Sequence, residues 1–155
     1  MTATNHVMTG ALIAVTVQKP LWAIPLAFFS HFLLDVVPHF GYGHVPNEER
    51  DSRQHFLTIQ ITDAFVALGL YLIIPLLFRN QVTPLVTAVS MLAAQAPDAF
   101  WVYEYARAQR HGQYREHNWY LRFHKVIQWC ERSWGAYVEA VYFLLITGLL
   151  WHVGR

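Results

Sequence analysis

Charged side chains are scarce in this chain. Asp, Glu, Lys and Arg make up 14% of its 155 residues, against about 25% in a typical soluble domain, while hydrophobic residues make up 55%. The net charge is +1 and the arginines form no basic stripe, so nothing indicates a nucleic-acid partner. The low charge and high apolar content together point to a lipid environment.

The chain has only one cysteine and no Lys or Arg residue before its first apolar segment. The single Cys130 cannot form an internal disulfide, which fits a reducing compartment. No Lys or Arg precedes the first apolar run, so we expect no cleaved signal peptide. The length suits one domain, and we predict a single membrane-embedded helical domain over residues 1–155.

The chain contains several long apolar segments that carry few charged residues. A helix needs roughly 20 apolar residues to cross a hydrocarbon core. Four segments approach or reach that length, at 20–43, 59–78, 82–103 and 135–151, and a shorter one at 7–17 predicts a partial or tilted span. We therefore predict an all-α membrane bundle of four to five transmembrane helices. A soluble bundle is the alternative, but its helices should carry polar stripes, which these segments mostly lack.

Basic residues in the predicted loops indicate the orientation of the bundle. With five helices, the long loops at 43–58 and 104–134 fall on one side and carry eight Lys and Arg residues, against three on the other side. The positive-inside rule places the side with more basic residues in the cytoplasm. We expect a multi-pass protein of the cell inner (plasma) membrane whose long loops are cytoplasmic and whose helices contact the lipid bilayer. Because the helices are few, the protein could also form homo-oligomers.

Ionisable residues inside the apolar segments should gather at the loop-bearing end. A charged carboxylate at the centre of a lipid-facing helix costs at least about 2.5–3.5 kcal/mol, and no Lys or Arg lies inside the segments to pair with it. Histidines and a metal ion can compensate instead, so we favour a metal site over a proton or ion pathway. The residues that the topology collects are His6, His31, Asp35, His39, Asp63, Asp98, His124 and Glu139.

The segment SHFLLDVVPHF, residues 30–40, is the richest in candidate ligands. His31 and Asp35 are four residues apart and share a helix face. Pro38 disfavours helix at the residue before it, which places His39 at or just beyond the helix end. Imidazole and carboxylate groups suit zinc in the first place, with manganese or iron as alternatives, and we expect one or two divalent ions. A buried His31–Asp35 hydrogen bond is the alternative.

Two further residues join His31, Asp35 and His39 as predicted metal ligands. Asp98, in AQAPDAFW, follows Pro97, which predicts a broken helix lining a cavity; a plain proline kink with Asp98 reaching the interface is the alternative. His6 opens the first helix, where it could also be an ordinary residue after an N-cap.

The predicted catalytic residues are Asp63, His124 and Glu139. The sequence FHKVIQWCER predicts an amphipathic helix along the membrane, on which His124 could close over the site or remain a surface histidine. Asp63 could equally be an acid near a helix N-terminus, and Glu139 is a spare candidate for a general base.

The segments SHFLLDVVPHF, APDAFW and FHKVIQW, in that order between apolar helices, resemble small bacterial and archaeal inner-membrane proteins grouped with the membrane-bound metal-dependent hydrolases. More remotely, the His-x3-Asp helix looks like the zinc-dependent phospholipase C and nuclease superfamily, which cleaves phosphoesters. That resemblance implies that His31 and Asp35 bind zinc, together with His6 and His39. The Pro-Asp-x-Asp-His motif of the better-known membrane hydrolases is reduced here to Pro97-Asp98.

Two functions follow as expectations. The first is a membrane-bound, zinc-type hydrolase acting on an amphipathic phosphoester or another lipid-like substrate at the cytoplasmic leaflet, because two divalent ions can clamp the attacking and leaving oxygens of a phosphoester. The second is a small ion or proton transport protein, or a metal-binding membrane protein without hydrolase activity, because intramembrane Asp and His chains also carry protons.

Overall fold

A computed structural model of the chain describes residues 1–41, 50–110 and 119–155. Each regular element in these ranges is an α-helix, which confirms the predicted all-α class for them. The helices are α1 (Ala3–Val17), α2 (Pro20–Val36), α3 (Arg50–Leu77), α4 (Pro84–Arg110), α5 (Trp119–Ile127) and α6 (Gly135–Val153). The predicted long loops lie partly outside the described residues.

The shortest predicted segment forms the centre of the bundle. α1 packs against α2, α3, α4 and α6, and Val7, Ala11 and Val15 are fully buried. Gly10 allows the backbone of α1 to approach α4 closely, because an added Cβ at this position would lie 2.6 Å from the Ser90 carbonyl oxygen and 2.8 Å from the Met91 Cα. A side chain at position 10 would therefore push the two helices apart.

A tight turn reverses the chain between α1 and α2. Gln18 adopts a left-handed conformation with φ 57° and donates its N–H to the Ala14 carbonyl oxygen at 2.9 Å, which ends α1. Pro20 then begins α2, where its missing N–H costs no helical hydrogen bond. The reversal brings the start of α1 and the end of α2 to the same end of the bundle.

Within the described ranges, three helices are long and apolar enough to cross a membrane by length and composition. They are Thr58–Leu77 in α3, Pro84–Glu104 in α4 and Gly135–Val153, which is α6. Their outer faces expose large apolar side chains, such as Leu72, Leu85 and Leu144. α1 and α2, with 15 and 17 residues, are apolar but shorter. The chain therefore has the character of a membrane protein.

Two helices extend beyond their predicted bounds. α3 begins at Arg50 instead of residue 59, and α4 continues through Pro97 to Arg110, so the predicted break at this proline is wrong. A proline removes one helical hydrogen bond, but the helix can continue where other groups satisfy the backbone. The carbonyl that Pro97 leaves without its helical donor is that of Ala93. Two neighbouring carbonyl groups tie this turn to other helices, since that of Pro97 accepts from the Tyr120 hydroxyl at 2.8 Å and that of Ala94 from the His31 ring at 2.8 Å.

Candidate metal centre

Four ionisable side chains from three helices converge at one end of the bundle. α2 supplies His31 and Asp35, α4 supplies Asp98 and α5 supplies His124. One ligand atom from each residue lies within 4.8 Å of all the others. His31, Asp35 and His124 are at most 1% exposed, whereas the Asp98 side chain is 31% exposed. We call these four residues the His/Asp cluster.

Four of the distances inside the cluster are close to those between atoms that share a small cation, although the whole set extends to 4.8 Å. His31 Nε2 lies 3.2 Å from Asp35 Oδ2 and 3.6 Å from Asp98 Oδ1. His124 Nε2 lies 3.7 Å and 3.6 Å from the same two oxygens. Ligand atoms at about 2.0–2.2 Å from a tetrahedral zinc lie roughly 3.3–3.6 Å from one another. The cluster could therefore hold a metal ion once its ligand atoms draw together.

Polar atoms at the centre of the cluster lack ordinary partners. His31 Nε2 and Asp35 Oδ2 are buried and make no hydrogen bond to any residue that the structure describes. A buried polar atom without a partner is costly, and native proteins rarely leave one. A cation between the nitrogen and the oxygen satisfies both atoms at once. The contact therefore fits a bound cation, and it also fits a protonated His31 ring paired with Asp35 at 3.2 Å.

The backbone of α4 orients His31 towards the cluster. Its Nδ1 lies 2.8 Å from the Ala94 carbonyl oxygen, which can accept a hydrogen bond only from a protonated Nδ1. The neutral ring then carries its lone pair on Nε2, the atom that faces Asp35 and Asp98. Histidines that bind metal ions usually have their other nitrogen fixed in this way.

α5 brings His124 to the cluster through a face that includes Tyr120. The Tyr120 hydroxyl donates to the Pro97 carbonyl oxygen one residue from Asp98, and burial raises the pKa of this tyrosine to about 12, so it remains a donor. Burial also lowers the pKa of His124. The imidazole of His124 is therefore neutral near pH 7, which is the form that binds metal ions.

His6 borders the cluster on the far side of Asp35. Its ring stacks on that of His31, with centroids 4.0 Å apart, and its Nε2 lies 3.2 Å from Asp35 Oδ1. The same oxygen accepts a hydrogen bond from the amino group of Met1 at 2.6 Å. Asp35 thus presents one oxygen to the cluster and the other to His6 and Met1.

His39, the fifth predicted ligand, lies apart from these residues. Its Nε2 is 3.8 Å from Glu131 Oε1 and its Nδ1 is 2.8 Å from the Val37 carbonyl oxygen. The turn that follows α2 directs its ring towards the segment after α5. In the described residues, His39 therefore pairs with a carboxylate outside the His/Asp cluster.

Asp63 and Glu139, two of the predicted catalytic residues, hold the start of α1. Asp63 accepts the backbone N–H groups of Ala3 at 2.6 Å and Thr4 at 3.1 Å, and Glu139 accepts that of Thr2 at 3.0 Å. The first N–H groups of a helix have no partner within the helix and attract negative charge. The structure thus gives both carboxylates a capping role, across three helices.

The sequence groups the four cluster residues and predicts a catalytic role for His124, whereas the structure places this residue among the possible ligands. The orienting contacts of Tyr120 and of the Ala94 carbonyl do not follow from the sequence. The spacing of four residues between Tyr120 and His124 was an available signal, because it places both side chains on one helix face.

Comparison of the chain with protein-family models, with curated proteins and with solved structures finds no match. The residues of the His/Asp cluster and their surroundings are therefore the basis for inferring its function.

Proposed function

We propose that this protein is a metal-dependent hydrolase of the cell inner membrane that acts on an amphipathic phosphoester or another lipid-like substrate at the cytoplasmic leaflet. The observation that carries the proposal is the convergence of His31, Asp35, Asp98 and His124 within 4.8 Å. In this topology α1 and α2 add to the three long helices to give four to five spans. The long loops and the cluster then face the cytoplasm, as the distribution of basic residues indicates.

The cluster residues differ in exposure, and this difference suggests their roles. His31, Asp35 and His124 are buried and hold the ion, with zinc the first choice. Catalytic zinc sites keep three protein ligands and one open position, and the bound metal supplies Lewis-acid activation of water and of the substrate. Asp98 is the most exposed of the four and lies on the accessible side. It would accept a proton from a water that the ion activates.

The surroundings of Asp98 favour a substrate with an apolar part. Phe123 and Phe32 lie in edge contact with ring centroids 5.7 Å apart, and Phe100 packs on Tyr120 at 4.6 Å. These rings flank the cluster where α2, α4 and α5 meet, and Phe123 and Phe100 are 44% and 46% exposed. A substrate that carries hydrocarbon can reach Asp98 from the lipid without exposing its chain to water.

Metal content is the first test of this proposal. Protein purified in mild detergent should bind about one zinc ion per chain, and Asp35→Asn and His31→Ala should each lose it. His152→Ala is the matched control, since His152 is exposed at the opposite end of α6, and it should retain the ion. The loaded protein should then hydrolyse at least one member of a panel comprising phosphatidic acid, phosphatidylcholine and a polyprenyl phosphate. Metal binding without turnover of any of them would remove the hydrolase assignment.

A second candidate is an ion or proton transport protein, or a metal-binding membrane protein without hydrolase activity. It is favoured by Thr87 and Ser90, whose fully buried hydroxyls make no hydrogen bond to the described residues and lie on α4 two to three turns from Asp98. Buried polar groups in a span can mark a proton pathway. Protein free of metal that carries a pH-dependent ion flux in liposomes, reduced in Ser90→Ala, would favour this candidate.

A further inference from the structure

α5 presents three different faces around a helix of only nine residues. At about 100° per residue, one face carries Tyr120, His124 and Leu121, all of which are buried in the protein. The opposite face carries Trp119 and Val126, which are 75% and 73% exposed. The third face carries two exposed basic residues, Arg122 and Lys125, between the apolar face and Leu121.

The exposed apolar face of α5 continues the lipid-facing surface of the bundle. Phe123 contacts Phe32 of α2 at a centroid distance of 5.7 Å, and α2 next to it exposes Phe29 and Leu33 at 61% and 72%. Trp129, just after α5, is 58% exposed. Ile127, the last residue of α5, is half-buried. Aromatic residues beside basic residues at the edge of an apolar surface are characteristic of the membrane–water interface.

We propose that α5 lies on the anionic phospholipid surface of the leaflet and that this contact holds His124 on the His/Asp cluster. Trp119, Phe123 and Val126 enter the acyl-chain boundary, while Arg122 and Lys125 contact the lipid phosphates. The lipid surface thus acts as a partner that completes the site. The coupling to metal binding rests on the proposed function, whereas the position of α5 on the membrane does not.

The geometry explains why α5 needs an external support. α5 contributes one ligand to the cluster, and Tyr120 adds a hydrogen bond to the Pro97 carbonyl oxygen. A helix of nine residues is too short to be stable alone in water, so its order depends on the surfaces that it contacts. One of these surfaces is the cluster end of α2 and α4. The other is the membrane, which the exposed apolar face of α5 contacts. Loss of the lipid contact, although this contact lies away from the ion, should therefore lower the affinity for the metal through His124.

Spin labels test the position of α5 without reference to any metal. Nitroxides are attached at Val126→Cys or Lys125→Cys in a Cys130→Ser background, in nanodiscs that contain phosphatidylglycerol. We expect the label at 126 to be accessible to oxygen and protected from water-soluble chromium oxalate, and the label at 125 to show the reverse. If both labels are exposed to chromium oxalate, α5 faces water and the proposal is wrong. If position 126 is protected from both reagents, a second copy or another protein covers this face, which also overturns it.

Zinc titration tests the coupling in the same nanodiscs. In phosphatidylcholine alone, we expect zinc affinity to fall roughly 5–30-fold relative to phosphatidylglycerol nanodiscs, which corresponds to the attraction of two basic residues to an anionic surface. The double variant Arg122→Gln/Lys125→Gln should show the lower affinity in both lipids. Arg155→Gln/Lys19→Gln, which removes two charges outside the cluster end, is the control and should respond to the lipid as the wild type does.

The outcomes separate the two parts of the inference. Equal zinc affinity in both lipids, with position 126 in the membrane, overturns the coupling and leaves α5 as a simple anchor. Failure of the wild type to bind zinc in either lipid removes the metal site and the coupling with it. The spin labels still decide in that case whether α5 lies on the bilayer.

Discussion

His31 Nδ1 lies 2.8 Å from the carbonyl oxygen of Ala94, so the backbone of α4 determines which ring nitrogen of a histidine on α2 faces the His/Asp cluster. The carbonyl belongs to the turn that contains Pro97, which removes the N–H donor for the carbonyl of Ala93. The proline therefore loosens the helical hydrogen bonding beside the very group that orients His31.

We predict that His31 carries its proton on Nδ1 in the neutral ring, because only a donor can satisfy the Ala94 carbonyl. Nitrogen-15 chemical shifts of histidine-labelled protein, assigned by comparison with His31→Gln, should show a protonated Nδ1 and a Nε2 that shifts when zinc is added. A protonated Nε2 in the zinc-loaded protein would contradict this orientation. His152, exposed at the far end of α6, should show no zinc-dependent shift.

We predict that substitution of Asp98 impairs catalysis alone, whereas substitution of Asp35 impairs both metal binding and catalysis. Asp98→Asn should keep the zinc, because three buried ligands remain, but should lower kcat by about 10²–10⁴-fold through loss of the proton acceptor. Asp35→Asn should lose zinc and activity together. Elemental analysis and rates of phosphoester hydrolysis on the same preparations distinguish the two variants. If Asp98→Asn loses its zinc as Asp35→Asn does, Asp98 is a ligand and the acceptor is another group.

We predict that Asp63 acts on stability and not on chemistry. Its carboxylate accepts two N–H groups at the start of α1, so Asp63→Ala should lower the free energy of unfolding by about 0.5–2 kcal/mol, as loss of a helix cap does. Thr62→Ala, at an exposed neighbouring position, is the control. Denaturant titration in detergent measures the difference. Loss of hydrolysis at unchanged stability in Asp63→Asn would instead support the catalytic role that the sequence suggested.

We predict that Gly10 is required for the contact between α1 and α4. Gly10→Val forces side-chain atoms against the Ser90 carbonyl and the Met91 backbone, and should destabilise the protein by about 1–3 kcal/mol or more. Gly148→Val on α6 is the matched control, because an added Cβ there has no neighbour within 4 Å. Thermal unfolding in the same detergent compares the two variants. Equal stability would mean that α1 is not packed at the centre.

The sequence predicts the helical class and the main grouping of ionisable residues because both depend on simple rules. Apolar segments must be helical where lipid surrounds them, and alternating helices return the chain to the same end. His31, Asp35 and Asp98 therefore come together on topology alone. The His-x3-Asp spacing also places His31 and Asp35 on one helix face, because residues four apart lie one turn above each other.

The roles of the other candidates depend on packing that the sequence does not contain. Asp63 and Glu139 lie at the expected end of the bundle, but their carboxylates accept hydrogen bonds from backbone N–H groups at the start of α1. His39 turns towards Glu131 because Pro38 ends the regular helix and the next residues form a bridge to the segment after α5. The central position of α1 also depends on packing, since its short apolar segment predicts only a partial or tilted span.

X-ray absorption at the zinc edge is the most direct measurement for the central claim. The wild-type protein in anionic nanodiscs should show a zinc ion with two imidazole nitrogens and carboxylate or water oxygens at about 2.0–2.2 Å. His124→Ala should retain one imidazole, and His39→Ala should retain both. A wild-type spectrum without imidazole scattering, or protein that binds no zinc, would contradict the claim that histidines of α2 and α5 hold one metal ion.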